Sequence, residues 1–567
     1  MYGIQMMDSW LYDKEQPFTH LKCFAVFDEL REKADTGYFE DLIRSWLLDN
    51  PHSSLLVLKP QKGLATENEK KLKEMLAEKK AAMSPEEIRQ IIDETKHLRE
   101  YQETPSSQED LEKIPMLSLE DIDKAPIPVV NEERTFNGFK GLFHNYETNG
   151  IGYLKLIFNM EGIPQRLIPY VGLLSSVLGN IDTENYDYEG LNNEISMYTG
   201  GVYTSPSIYG GKGPGQYYPC FEVSGRALLN NLDKMADLIK EMLFTSKLED
   251  KKRLKEIVDE NVSRLQMSFN SSVSAVAVSR ATSYFSEAGA FREQVSGVDY
   301  YHFVRELSKD FSDQADQVIA ALKETAGFIF RKDNLMVDYT STPENIPVLE
   351  KAITGLEDHL TSVIPEKETF VWTPEAKNEG FITPGMVQYD VMAGNFVKDG
   401  FKFHGALNVL KVIMEYEYLW INLRVKGGAY GCMNGFSRNG NAYFASYRDP
   451  HLKETLDIYR ECGNYLRNFQ VSDRDMLKYI IGAVSGADTP QKPFAAAGRS
   501  LGAYFSGITN EDLQKTRDEM LSANVEIIRG FADLVEDLVN QNNVCVIGSE
   551  SQINENRQLF GTVEALF

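Results

Sequence analysis

The residues TGGVY at 199–203 return as KGGAY at 426–430, an offset of 227. The same offset lays Leu229 on Leu456, Leu232 on Tyr459, Leu238 on Tyr465 and Ile239 on Leu466. It also lays the strand-like QYYPCFEVS on YFASYRDPH. A repeat of this length requires one folding solution to serve twice, so each copy is a unit of domain size. In each copy a helix runs into Gly-Gly-x-Tyr, followed by strand, strand and helix. Further helices are predicted near 250–268 and 472–486, and the copies close on the β-rich stretches NLMVDYTS and NNVCVIGS. Helices alternating with mostly antiparallel strands predict an α+β fold of two similar tandem domains, 129–345 and 381–567, joined by a linker over 346–380.

The region before the repeat is built differently. YFEDLIRSWLLDNPHSSLLVLKPQ (38–61) reads as an amphipathic helix followed by a short apolar strand. Residues 1–62 are too few for an independent core of this type and read as the tail of a longer domain. Leu42, Trp46, Leu47 and Leu48 would then be exposed, favouring self-association or a missing partner. From 63 to 128 two helix starts stand out, Thr66 with Glu69 and Ser84 with Glu87, the second carrying Pro85 at its first helical position. Thin apolar stripes follow each: Leu72, Met75 and Leu76, then Ile88, Ile91, Ile92, Thr95 and Leu98. They predict a helical hairpin, with a Pro-, Ser- and acid-rich extended linker after it. The other reading of 66–128 is a long linker throughout.

Charge and composition exclude several function classes. A formal net charge of −25 over 567 residues argues against nucleic acid, which needs clustered Lys and Arg. No apolar run reaches the ~18 residues of a membrane helix, so no membrane partner is expected. The N-terminus lacks the basic and apolar regions of a signal peptide. Cys23, Cys220, Cys432, Cys462 and Cys545 are odd in number and far apart, forming neither a disulfide framework nor a CxxC pair. A reducing cytoplasm is the simplest setting.

Candidate chemistry is sparse. In LFHNYETNG (142–150), His144 and Glu147 have the spacing of His-x-x-Glu-His, but Thr148 stands where the second histidine belongs. Glycines at 138, 141, 150 and 152 and the Asn149-Gly150 turn favour two strands flanking a hairpin turn over a helix. No complete zinc site, Gly-x-Ser-x-Gly elbow or Walker loop occurs, and GGKGPG (210–215) reads as a surface loop. YLWINLRVKGGAYG is the most informative stretch. Gly427 and Gly428 let the chain leave a helix for a strand that opens at Tyr430. The first copy shares the glycines and Tyr203 but has Met197 where Arg424 stands. The shared part is structural, and the unshared arginine is where a function could be added. Its alternative role is to neutralise the helix C-terminus.

At these residues the chain resembles the presequence proteases, a branch of the pitrilysin–insulysin superfamily of zinc metallopeptidases. The resemblance is to their C-terminal half. It is carried by WLYDKEQPFTHLKCF, YFEDLIRSWLLDNPHSSLLVLKP, YETNGIGYLKLIFN, IPYVGLLSSVLGNIDT, EISMYTGGVY and YLWINLRVKGGAYG. It implies pitrilysin-type domains at 129–345 and 381–567, a helical hairpin before them, and in 1–62 the end of a further domain. The family encloses peptides in a chamber made of two such halves, with zinc in the first. It therefore implies no metal bound by this chain, zinc in a missing N-terminal catalytic half, and peptides as substrates. Arg424 and Tyr430 match the family residues that reach across to the substrate backbone and the developing oxyanion, with Gly427 and Gly428 beside them in the peptide-binding stretch. Tyr203 keeps a structural role. The chain is expected to be inactive alone. The alternatives are a non-enzymatic peptide-binding or scaffold subunit, or a chain whose natural start lies upstream of Met1.

Overall fold

The computed structural model describes residues 2–104, 106–213 and 215–567. The chain forms two compact units, Met1–Asn68 and Glu69–Phe567. The smaller contains helices Tyr2–Trp10, Phe24–Ala34 and Tyr38–Ile43, the last continuing as the wider turn Arg44–Leu48. None of these helices buries a residue fully, and Trp46, Leu47 and Leu48 are all exposed. The apolar strand expected after them does not form. Leu55, Leu56, Val57 and Leu58 are irregular and exposed, because no neighbouring strand among the described residues takes up their N–H and C=O groups.

Helices Leu64–Ala82 and Pro85–Glu103 follow. The second starts as expected: the Ser84 N–H donates to Glu87 Oε2 at 2.7 Å, and the Glu87 N–H donates to Ser84 Oγ at 3.2 Å. The first does not start at Thr66. It begins two residues earlier, after Gly63 at φ +81°, whose carbonyl receives the Glu67 N–H. The stripe residues Leu72, Met75, Leu76, Ile91, Ile92 and Leu98 remain exposed. Downstream, the extended segment is strapped down by side chains rather than by a sheet. Arg499 donates to the carbonyls of Ile127 and Pro128, while the Val129 and Val130 N–H groups donate to Asn510 Oδ1 and Ser500 Oγ.

Two six-stranded sheets carry the rest. The first contains β1 (Glu132–Phe136), β2 (Phe139–Asn145), β3 (Ile151–Asn159), β4 (Val202–Gly210), β5 (Tyr217–Leu228) and β6 (Leu335–Ser341), in the order β1-β2-β6-β3-β5-β4. The second contains β7 (Glu379–Thr383), β8 (Tyr389–Asn395), β9 (Gly431–Phe436), β10 (Asn441–Tyr447), β11 (Asn543–Ser549) and β12 (Thr562–Ala565), in the order β12-β7-β11-β8-β10-β9. Five strands repeat in both order and sense. β2–β6 and β7–β11 are parallel, and the other pairs of each five-strand set are antiparallel. The sixth differs: β1 enters from the N-terminal side antiparallel to β2, whereas β12 arrives from the C-terminus parallel to β7.

The hairpin expected at Asn149-Gly150 needs correcting. The turn is real, with Asn149 at φ +50° and Gly150 at φ +80°, but β6 lies between β2 and β3. Every β6 residue is buried, so this strand takes the centre of the sheet and separates two strands that are adjacent in sequence.

Each sheet packs its own helices on one face, Ile168–Val177, Leu232–Phe244 and Val298–Ile329 in the first copy and Leu407–Ile413 and Ala532–Asn540 in the second. The opposite faces are covered by exchange. Helix Val273–Ser283 of the first copy lies on β8, β10 and β11, and helix Pro493–Ser506 of the second lies on β2, β4 and β6. Leu501 fills the space between Leu142, Ile157, Cys220 and Met336. A buried ion pair pins the exchange: Arg280 grips Glu379 of β7 at 2.6 and 2.9 Å and also reaches Asp299 at 2.7 Å and Glu293 at 3.2 Å.

Candidate functional site

Arg424 lies in the last turn of Met414–Lys426, a helix wound with i→i+5 bonds, a geometry often found at functional sites. The Gly428 N–H donates to Arg424 O at 3.0 Å and the Ala429 N–H to Leu423 O at 2.9 Å, which closes the helix. The two glycines are needed for different reasons. Gly428 is at φ +81°, and a Cβ on Gly427 would sit 2.6 Å from Leu423 O. Both glycines therefore shape the corner, and the Gly428 N–H is already spent on Arg424 O.

The corner delivers Tyr430 to the edge of the sheet. Its N–H donates to Tyr447 O at 3.0 Å, and its side chain is 63 % exposed. Arg424 Nη1 donates to the Tyr430 carbonyl. The guanidinium lies between two rings, 4.4 Å from the Trp420 centroid and 5.2 Å from that of Tyr430, so cation–π attraction fixes its orientation. Tyr430 continues into a run of rings: Tyr447 is 5.9 Å away, and Tyr389 is 5.4 Å beyond it. Arg448 rides 5.6 Å over Tyr447. The structure thus joins Arg424 and Tyr430, as the sequence suggested, and adds Trp420, Tyr447, Tyr389 and Arg448. The aromatic-basic composition of YRDP was the only sequence signal for Tyr447 and Arg448.

Beneath this strip lie two buried carboxyls. Asp390 of β8 accepts from the Ser446 hydroxyl at 2.9 Å and leaves Oδ1 without a partner. Burial, then the neighbouring Asp449, push its carboxyl well above the usual range. Burial also raises Asp449, which accepts from the Thr455 hydroxyl at 2.8 Å and the His451 N–H at 2.9 Å.

In the first copy Tyr203 is as exposed as Tyr430, but its ring lies directly over Gly201, where a Cβ would come within 2.6 Å of it. Met197, in the position of Arg424, is exposed and brings no charge. The first copy therefore repeats the corner without a cation on the helix; Arg226, at the end of β5, instead donates from Nε to Gly200 O at 2.9 Å.

The zinc-like spacing at His144 has another purpose. The ring is buried, with Nδ1 2.6 Å from Val130 O and Nε2 2.7 Å from Asp338 Oδ2. Both ring nitrogens are engaged by protein acceptors inside the core, so neither is presented to a metal, while Glu147 caps the Asn149 N–H in the turn. These residues do not fit zinc.

Duplicated sheets of this order, sharing covering helices, define a tandem pair of pitrilysin-type α+β domains. Residues 58–307 match the family described as associated with peptidase M16, subfamily C, and residues 378–550 the one described as "PreP C-terminal domain". Protein HypA of Clostridium perfringens is 38 % identical over 567 residues, covering 100 % of this chain and 58 % of that protein. Presequence protease 1, chloroplastic/mitochondrial, of Arabidopsis thaliana is 30 % identical, covering 99 % of this chain and 53 % of that protein. This chain thus spans somewhat over half the length of these curated relatives. In fold it is similar to the peptidase M16 inactive domain from Pseudomonas fluorescens, with TM-score 0.50 and 12 % identity, covering 74 % of this chain and 98 % of that one. A conserved protein from Enterococcus faecalis gives TM-score 0.52 at 13 % identity, covering 74 % and 99 %. Together these matches support a C-terminal, presequence-protease-like M16 region. No helix among the described residues is long and apolar enough to cross a membrane.

Proposed function

We propose that this region supplies the peptide-binding and oxyanion-stabilising side of a zinc metalloendopeptidase chamber, with the metal held by an N-terminal catalytic half outside these residues. The carrying observation is the exposed Tyr430 phenol, held at a rigid helix-to-strand corner with Arg424 clamped beside it. Attack on a peptide carbonyl builds negative charge on its oxygen. A phenol O–H and a guanidinium N–H fixed at that point stabilise the charge more than they stabilise the ground state. The corner also limits reorganisation, because its glycines and the two rings around Arg424 hold both donors before substrate arrives. Peptides are the substrate class that fits this chemistry, and a cytoplasmic setting belongs to the same proposal.

The test is hydrolysis of a quenched fluorescent peptide by this chain alone and mixed with the zinc-bearing half of a presequence protease. Turnover is expected only in the mixture. Tyr430→Phe and Arg424→Ala should each lower it by roughly 100-fold or more, the usual cost of an oxyanion donor. Robust turnover by the chain alone would refute the division of labour. Peptide binding without turnover in the mixture would leave a peptide-binding subunit instead.

A further inference from the structure

Five non-glycine residues among those described stand at positive φ: Asn137, Asn149, Asn378, Asn542 and Arg448. Asparagine tolerates the left-handed region because its short amide can bond the local backbone, and four of the five positions use it. Arg448, at φ +50°, is the exception. Its backbone is fixed from two sides. The Tyr430 N–H reaches Tyr447 O at 3.0 Å and Arg448 O at 3.4 Å, and Gln388 and Asp449 exchange N–H···O bonds of 2.7 and 2.9 Å. Glycine would satisfy this geometry without strain. A strained arginine in its place implies that the side chain is needed.

The guanidinium is exposed, and the groups acting on its charge are phenols: Tyr389 first, through a side-chain hydrogen bond, then Tyr447 and Tyr430. The adjacent Asp449 carboxylate is buried and turned to Thr455 and the His451 N–H, so it does not serve as the counter-charge. Arg424 donates to the Tyr430 carbonyl, and with five N–H donors each guanidinium keeps others free for a ligand. A fork of N–H donors beside an exposed tyrosine, in a protein of net charge −25, is suited to a bidentate anion.

We propose that Arg448 is a substrate-binding residue that takes a carboxylate of the peptide lying along Tyr430 and Tyr447, either the C-terminal carboxylate or an acidic side chain. This rests on the reading of Arg424 and Tyr430 as a peptide site. The experiment is fluorescence polarisation of fluorescein-labelled 15-residue peptides with the whole chain. The peptides are one neutral sequence with a free C-terminus, its C-terminal amide, and the amide with one internal glutamate. Wild type, Arg448→Gly, Arg448→Lys and Tyr430→Phe are compared, with thermal midpoints recorded for each.

Wild type is expected to bind the free acid at least tenfold more tightly than the neutral amide if the terminus is read, or the glutamate amide at least tenfold more tightly if a side chain is read. Arg448→Gly should abolish that preference while its midpoint stays level or rises, and Arg448→Lys should retain part of the preference. An unchanged preference in Arg448→Gly would overturn the proposal, as would equal weakening of all three peptides with a lowered midpoint. Binding that responds to Tyr430→Phe but ignores Arg448 would sink this proposal alone. Absence of binding by wild type to all three peptides would sink it together with the peptide-site reading.

Discussion

Removing Arg280 should cost more than removing almost any other single side chain, and the cost should depend on pH. Arg280 is 4 % exposed, and two of its partners, Glu379 and Glu293, are 6 % and 1 % exposed. Arg280→Met keeps most of the side-chain volume but leaves both carboxylates in a dry seam without a cation. Breaking a buried pair from one side costs about 3–5 kcal/mol, because the partner charge remains buried. Burial already raises the Glu293 carboxyl even with Arg280 beside it. Without the guanidinium the Glu293 carboxyl should rise further. A raised folded-state pKa gives stability that is present below the unfolded value, about 4.3 for Glu, and lost as pH rises through the folded one. The variant should therefore approach wild type near pH 4.5 and show its full deficit by pH 8. Urea unfolding followed by tryptophan fluorescence at both pH values provides the measure. A loss under about 1 kcal/mol at pH 8, the range of exposed ion pairs, would refute the idea that this cluster pins the exchanged helix. So would a deficit independent of pH. Adding Glu379→Met to Arg280→Met should recover part of the loss by removing one stranded charge.

Asp390→Asn should stabilise the chain above neutral pH and flatten its pH dependence, since the raised Asp390 carboxyl makes wild type lose stability as pH rises through the folded value; denaturant midpoints at pH 5 and 8 will show it. His144 is also raised, with burial opposing and Asp338 outweighing it, so its contribution is present below about pH 6.5 and fades as pH rises through the folded pKa. His144→Phe should therefore lose more stability at pH 6 than at pH 9 in the same assay. Gly428→Ala should cost roughly 1–2 kcal/mol from its positive φ and lower turnover in the reconstituted mixture by displacing Tyr430.

The sequence patterns that proved legible were local. The Ser84 box works because its bonds span three residues, and the Gly-Gly corners because only glycine fits φ +81° at 428 and +115° at 201. The five-strand repeat is visible because both copies keep the apolar and turn residues in step. What stayed hidden depends on distant partners. LLVLKP has the composition of a strand but no neighbour to pair with among the described residues, whereas LMVDYTS, with a polar end, is taken into the sheet centre. The exchange of helices 273–283 and 493–506 leaves no local mark either, because each needs only an apolar face and the sequence does not say which sheet receives it.

The site shows the same division in sharper form. Both copies build the corner, and both present an exposed tyrosine there, yet only the second sets a guanidinium against that tyrosine and another over the ring beside it, whereas Arg226 of the first is turned to Gly200 O. The shared backbone explains why Tyr203 and Tyr430 point outward. It cannot explain Arg424 or Arg448, since Met197 shows that the corner folds without the first, and a glycine would suit the turn better than the second. Side chains that the scaffold does not require, held in place by a scaffold that does not change, are where selection for a ligand leaves its mark. Of the two arginines, only Arg448 also costs backbone strain, so it is the one whose removal should separate stability from binding.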